Sequence, residues 1–211
     1  MLTVHHLGVS QSERIVWLCE ELGLDYQLLR YDRDPVTRLA PTQYKALHPL
    51  GTAPVIGDGE VVLAESGAIV DYLLAKYGQG RLAIAADAPN FADYLFWFHF
   101  ANGSLVASAM LELVAGMLGA GGDAKAFVSA RADNAFAMAE ARLGQADYFA
   151  GEAFTAADIM MVFSFTTMRA FIPRDLAPYP NIRAYLQRIG ERSAYRQAMA
   201  KGDPGMAPML A

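Results

Sequence analysis

The chain has 211 residues, long enough for more than one average domain and for a substantial buried core. Apolar residues make up 54% and charged residues 18%, a balance that excludes a disordered chain. Seventeen Lys and Arg against 22 Asp and Glu leave a net charge of −5, which excludes a nucleic-acid binder that works through a broad basic field.

The single cysteine, Cys19, excludes an internal disulfide framework, a paired redox thiol and a multi-cysteine zinc site. His5, His6, His48 and His99 have no metal-ligand spacing, so no metal is expected. The opening MLTVHHLG lacks the charged start and apolar run of a secretory leader. The weakly charged stretch from Gly103 to Gly122 carries Glu112 and many Gly and Ala, which argues against a membrane span. A cytoplasmic, soluble chain is expected, with no nucleic-acid or membrane partner.

In chain order, Leu2 to Leu7 reads as a buried strand. Gly8 to Ser12 is a loop. Ile15, Val16, Leu18, Cys19 and Leu22 recur at helical spacing, with Gly23 as the C-cap. Asp25 to Arg30 reads as a second strand, the charged stretch to Arg38 as an exposed connection, and Thr42 to Leu47 as a short helix ended before His48-Pro49. Pro54 to Leu63 reads as a hairpin turning at Gly57-Asp58-Gly59. Ser66 then begins a helix closed by Gly78. The order β-α-β-(α)-β-β-α is that of a thioredoxin-like unit, with the first two strands parallel.

Gln79 to Asn90 reads as a linker, after which the strand signal disappears. Helices are expected over Phe91–Leu118, Ala124–Leu143, Ala156–Phe171, Pro180–Arg192 and Ala194–Ala200. The expected organisation is thus an α/β thioredoxin-like domain over 1–78 and an all-α domain over 91–211. Thr155 and Asp158 have capping-box spacing, with Phe154 and Ile159 as a hydrophobic staple.

Three segments could carry chemistry. The turn Ser10-Gln11-Ser12 leads into a helix N-terminus, where backbone N–H groups and the helix dipole favour negative charge. It holds hydroxyls and no cysteine, so it suits stabilising a thiolate brought by a ligand. The plainer reading is a turn residue and an N-cap, with Ser12 the better cap. Thr52-Ala53-Pro54-Val55 places a proline at the start of a strand, where it belongs to an edge or to a special peptide bond. Glu65 and Ser66 stand at the next helix start, suited to an ammonium and a carboxylate or to a plain cap.

Together the segments LTVHHLGVSQSERI, HPLGTAPV, LAESGAI and FTAADI resemble those of the glutathione S-transferases over nearly the whole chain. The likeness is to serine-type bacterial and fungal theta-like members. It implies Ser10 as the catalytic hydroxyl, counted back four residues from Arg14, with Ser12 as the alternative if the loop is gapped differently. It implies that the Ala53 backbone pairs with the cysteinyl part of glutathione and that Pro54 is cis. Glu65 and Ser66 would take the γ-glutamyl end. Lys45 and Arg38 would be the weaker partners, for the glycine carboxylate. Departures from the family pattern fall at three places. His5 and His6 stand where tyrosine-type classes carry their tyrosine, and they read as structural or strand-end residues, with His6 facing the site as the alternative. Gly51 replaces a frequent His or Lys. Asn102, in FHFANGSL, replaces an acid and is a second-site residue by likeness alone. Cys19 and His99 read as buried or interface residues.

The resemblance further implies an enzyme with glutathione as co-substrate and no other cofactor, a small electrophile as second substrate, a role in detoxification and a homodimer. Two rivals share the scaffold: a glutathione-dependent disulfide or peroxide reductase, and a non-catalytic glutathione-binding regulator.

Overall fold

The apolar alternation at the N-terminus builds the centre of a sheet. In a computed structural model describing all residues, 1–211, β1 (Leu2–Leu7) buries Leu2, Val4, His6 and Leu7. β2 (Tyr26–Tyr31) pairs with it in parallel. β3 (Val55–Asp58) pairs with its other edge antiparallel, and β4 (Val61–Ala64) closes the sheet in the order β2-β1-β3-β4. The hairpin turns at Gly59-Glu60 and not at Gly57–Gly59, because Gly57 and Asp58 still pair with Val62 and Val61.

Between the strands, α1 (Glu13–Leu22) buries Ile15, Val16, Trp17, Leu18, Cys19 and Leu22. Each fully buried large apolar side chain contributes about 1.5–3 kcal/mol, so this face anchors the helix to the sheet. Gly23 ends it at φ 61°, in the left-handed region where glycine has no Cβ to clash. Cys19 is fully buried, and burial pushes its thiol far up, away from the thiolate form. α2 (Thr42–Lys45) is a single turn that buries Tyr44. α3 (Ser66–Leu73) runs on into a π-helical turn over Leu74–Gly78.

The helical half begins with α4 (Phe91–Phe100), which passes through a π turn (Ala101–Val106) into α5 (Ala107–Met117). The run Phe91–Met117 is long and apolar enough, by length and composition, to cross a membrane. Here Tyr94, Trp97, Phe98 and Phe100 are buried, and α4 packs on α7 (Ala156–Phe165). α6 (Gly122–Leu143) packs along α5. A 3-10 turn (Thr167–Ala170), α8 (Pro180–Glu191) and α9 (Ser193–Gly202) follow. The expected capping box forms: the Asp158 carboxylate accepts the Thr155 N–H at 2.8 Å, and Thr155 Oγ1 accepts the Ala157 N–H at 3.3 Å. The same carboxylate also accepts the Phe149 N–H at 3.0 Å and the Tyr185 hydroxyl at 3.1 Å. His99 is exposed on α4 rather than buried, because its helical position falls outside the stripe of Tyr94, Trp97 and Phe98.

The chain divides into two units, Met1–Ala83 with Ile189–Pro208, and Ile84–Arg188 with Met209–Ala211. This differs from a boundary that places all of 91–211 in the helical domain. The physical reason is that α9 packs on α1. Arg192 forms a two-pronged ion pair with Glu21 (2.7 and 2.8 Å), Lys201 meets Glu20 at 2.7 Å, and Tyr195 sits edge-on to Trp17. Within the second unit, a cavity of about 780 Å³ is lined by Leu113, Met117, Phe171, Ile172, Arg174 and Tyr179, among others.

Candidate functional site

Strand register brings the three chemical segments to one end of the sheet. β1 ends at Leu7 and leads into the turn Gly8–Ser12. Its penultimate pairings place His5 opposite Val55, so Ala53 and Pro54 lie beside the end of β1. Val55 in turn faces Ala64, so Glu65 and Ser66 leave the sheet at the same end. Beneath them Leu7, Tyr44, Val55 and Ala64 form an apolar cluster, with Tyr31, Leu47 and Ala53 packed against it.

The turn after β1 is held from two sides. Val9 adopts φ 53°, in the left-handed region. Arg33 donates to the Gly8 and Val9 carbonyls at 2.9 and 3.0 Å. The Asp203 carboxylate accepts the Val9 N–H at 3.0 and 3.1 Å. Neither Arg33 nor Asp203 carries a local sequence signal. Each reaches the turn through tertiary packing, from 24 and 194 residues away.

Both serine hydroxyls are bonded within the turn. Ser10 Oγ donates to the Leu7 carbonyl at 2.7 Å and lies 2.7 Å from Ser12 Oγ. Ser12 Oγ accepts the Leu7 N–H at 3.1 Å and lies 2.9 Å from Nδ1 of His6. Ser12 occupies the N-cap position, and its carbonyl accepts from Ile15 and Val16, but its hydroxyl caps nothing. The strand end is closer and completes the buried group instead. Of the two, Ser12 is fully buried and Ser10 is 5% exposed. His6, read from the sequence as a strand-end residue, is fully buried behind them, and its Nε2 meets Asp203 Oδ2 at 3.2 Å.

Ala53–Pro54 is a cis peptide. Ala53 precedes the first ladder pair, so its backbone groups are not used by the sheet. Ser66 is the first residue of α3 rather than its N-cap. Glu65 takes the cap position at φ 74°, with its side chain exposed. Gln11, which no motif singled out, joins the starts of the two helices. Its Oε1 accepts from the buried Arg14 guanidinium, and Ser66 Oγ approaches it at 3.5 Å. Burial pushes Arg14 down to about 9, against the pull of Glu13. Lys45 and Arg38 are both exposed, and the Lys45 stem lies near Gly51. Asn102 sits in the π turn of the second unit. His48 is a turn residue whose Nδ1 accepts the Leu50 N–H at 3.2 Å.

Family models match both parts of the chain: the glutathione S-transferase N-terminal domain over residues 2–75 and the glutathione S-transferase C-terminal domain over residues 120–193. Glutathione S-transferase 3 of Schizosaccharomyces pombe is 34% identical, covering 95% of this chain and 88% of its own. The chain belongs to the glutathione S-transferase family. Glutathione S-transferase 1 of Saccharomyces cerevisiae is 29% identical over 95% of both chains. A solved glutathione S-transferase from Actinobacillus pleuropneumoniae superposes with a TM-score of 0.90 at 36% identity, covering 100% of this chain and 99% of that one. The family places glutathione as the ligand and thiol transfer as the activity of this glutathione S-transferase, on a thioredoxin-like sheet with an all-helical partner domain.

Proposed function

We propose that this transferase adds the thiolate of glutathione to small, largely apolar electrophiles, with Ser10 as the hydroxyl that faces the sulfur. The reading rests on the convergence of Ser10, Ala53-Pro54 and Glu65-Ser66 at one end of the sheet. Glu65 takes the ammonium of the γ-glutamyl end. Ser66 and the N-terminal amides of α3 take its carboxylate. The free backbone of Ala53 pairs with the cysteinyl residue, and Lys45 and Arg38 reach the glycine carboxylate. Placed between helix amides and a hydroxyl donor, the sulfur ionises at neutral pH and becomes the nucleophile.

The protein carries no thiol of its own that could enter the chemistry, since Cys19 is buried and protonated. Conjugation needs one borrowed thiol, whereas disulfide or peroxide reduction needs two glutathiones in turn. A homodimer is supported by the exposed apolar residues Leu95, Phe96, Met110, Leu111 and Val114 on one continuous helical run. A reducing, cytoplasmic setting with a detoxifying role fits the borrowed thiol.

The test is glutathione affinity by calorimetry, with conjugation of a chloro-nitroaromatic and reduction of a small disulfide assayed in wild type, Ser10→Ala and Ser12→Ala. Conjugation is expected in wild type. Ser10→Ala should keep affinity for the thiol-free S-methylglutathione and lose turnover. Absence of binding and turnover in wild type overturns the reading, as does disulfide reduction without conjugation.

A further inference from the structure

Behind Ser10, four side chains form one continuous line: Ser10 Oγ to Ser12 Oγ at 2.7 Å, Ser12 Oγ to His6 Nδ1 at 2.9 Å, and His6 Nε2 to Asp203 Oδ2 at 3.2 Å. All four are buried, with His6 and Ser12 fully so. Ser10 and Ser12 close the backbone of Leu7 at the end of β1, but the contact between His6 and Asp203 takes no part in the sheet ladder. Asp203 comes from the segment just after α9, 197 residues from His6, and is brought there by the packing of α9 on α1.

The direction of each hydrogen bond follows from the charge at the inner end. Burial pushes the Asp203 carboxyl up, but His6, the Val9 N–H and Arg30 outweigh it and hold the group below its ordinary range. An ionised Asp203 requires a proton on the His6 Nε2 that meets it at 3.2 Å, which in the uncharged tautomer leaves Nδ1 without one. Nδ1 must then accept, and the only hydroxyl on it is Ser12. Ser12 Oγ is left as an acceptor toward Ser10. The Ser10 hydroxyl has the Leu7 carbonyl and Ser12 Oγ at the same 2.7 Å, and when its proton turns to Ser12 every proton on the line points inward. Ser10 Oγ accepts the Ser12 N–H at 3.2 Å and keeps one lone pair for the outer end.

We infer that this line is a proton relay, in which His6, backed by Asp203, receives the proton of the glutathione thiol through Ser12 and Ser10. The inference rests on the proposed role of Ser10. In the step, the S–H bond breaks and sulfur keeps the electron pair. The thiol proton passes to Ser10 Oγ, the Ser10 proton to Ser12 Oγ, and the Ser12 proton to His6 Nδ1. The products are a thiolate and an imidazolium paired with Asp203. Every hydrogen bond on the line has reversed, so Ser10 now donates to the thiolate it has just formed. No external base is consumed, and the buried pair His6⁺–Asp203⁻ is neutral overall, which limits the desolvation penalty of charging a buried ring.

The surroundings fit a ring held for this purpose. A Cβ on Gly202 would stand 3.1 Å from His6 Nε2, and one on Gly8 would stand 3.3 Å from Asp203 Oδ1, so two glycines let the backbone close around the pair. The other charged groups near it are Arg33, which holds the Gly8 and Val9 carbonyls beside Asp203, and Arg30. Arg30 Nη2 lies 3.6 Å from Asp203 Oδ1, its Nε donates to the Gly202 carbonyl, and its Nη1 pairs with Asp32. Arg30 therefore meets Oδ1 of the carboxylate, while Oδ2 is shared by the His6 ring and the Val9 N–H.

Three readouts on the whole protein test the relay. First, ring-nitrogen NMR shifts of His6 should report a neutral Nε2–H ring in the free protein and an imidazolium with glutathione bound, but a neutral ring with S-methylglutathione. Second, ultraviolet thiolate absorbance of bound glutathione should titrate at least tenfold higher in proton-dissociation constant for wild type than for Ser12→Ala, which cuts the line while leaving His6 and Asp203, and for Asp203→Asn. Third, an indicator dye should detect less than one proton released per thiolate formed in wild type. A His6 ring that stays neutral with glutathione bound, or an unchanged thiol titration in Ser12→Ala of native melting temperature, overturns the relay. S-methylglutathione separates the two readings. Failure of wild type to bind it sinks the proposed function, whereas binding with a neutral His6 ring under glutathione sinks the relay alone.

Discussion

Removing the Asp158 carboxylate should be the most damaging single truncation at a polar position in the helical unit. Asp158 is fully buried and accepts four hydrogen bonds: from the Phe149 N–H, the Thr155 N–H, the Thr155 hydroxyl and the Tyr185 hydroxyl. It therefore ties the start of α7 to the preceding loop and to α8. A buried donor left without an acceptor costs about 1–3 kcal/mol. The two N–H groups and the Tyr185 hydroxyl, the three shorter bonds, less the relief from no longer burying a carboxyl, give about 3–5 kcal/mol for Asp158→Ala. At about 2–4 °C per kcal/mol for a chain of this size, the melting temperature should fall by roughly 6–20 °C. Asp158→Asn keeps one acceptor oxygen and should lose about half as much.

The pH dependence supplies a second check on the same residue. Burial pushes the Asp158 carboxyl up to about 6, against the hydrogen bonds it accepts. A carboxyl raised on folding binds its proton more tightly in the native state. Its contribution is full below the unfolded value near 4 and is lost as pH rises through about 6. A shift of about two units corresponds to roughly 3 kcal/mol. The stability gap between wild type and Asp158→Asn should therefore shrink between pH 4 and pH 7. Melts followed by circular dichroism and calorimetry across that range measure both effects. A fall of under about 2 °C for Asp158→Ala, or a gap that widens with pH, refutes the reasoning.

Two further outcomes follow from ion pairs in the first unit. Asp58 accepts from Lys76, Tyr77 and Tyr72 at 2.7, 2.6 and 3.0 Å, and the Lys76 and Tyr77 bonds bring its carboxyl down to about 2 despite burial. A depressed carboxyl contributes above the unfolded value near 4 and loses that contribution as pH falls toward 2, so Asp58→Asn should flatten the acid-unfolding limb. Because Lys76 is half exposed and screened, the effect should be about 1 kcal/mol in urea titrations at pH 5, and none at pH 2. Arg192→Ala removes the two-pronged pair with Glu21 and should lower stability by about 1–2 kcal/mol. Amide exchange should then rise first in α9, and an unchanged exchange pattern there would count against the tether.

Much of the local structure was legible because its causes are local. The alternation at Leu2–Leu7, the helical stripe from Ile15 to Leu22, and Thr155 with Asp158 each act over one turn or one strand pair, and each forms as read. The misreadings also have local causes. Gly57 and Asp58 carry turn chemistry yet remain in β3, because ladder pairing with Val61 and Val62 outweighs a turn preference. Ser66 has N-cap chemistry, but Glu65 takes the cap position and Ser66 turns toward Gln11.

The sequence by itself determined which residue types could meet a borrowed thiol: hydroxyls at the first turn, a proline at a strand start, an acid and a serine at a helix start, and a single cysteine in a helical stripe. Those signals lie within a few residues of each other in the chain, where spacing carries information. Tertiary structure alone decided what stands behind the hydroxyls. His6 and Asp203 are 197 residues apart, and nothing in either neighbourhood points to the other. They meet because α9 returns to pack on α1, pinned through Glu20, Glu21 and Trp17. A contact of that span is set by the packing of whole helices and leaves no periodicity in the chain to read.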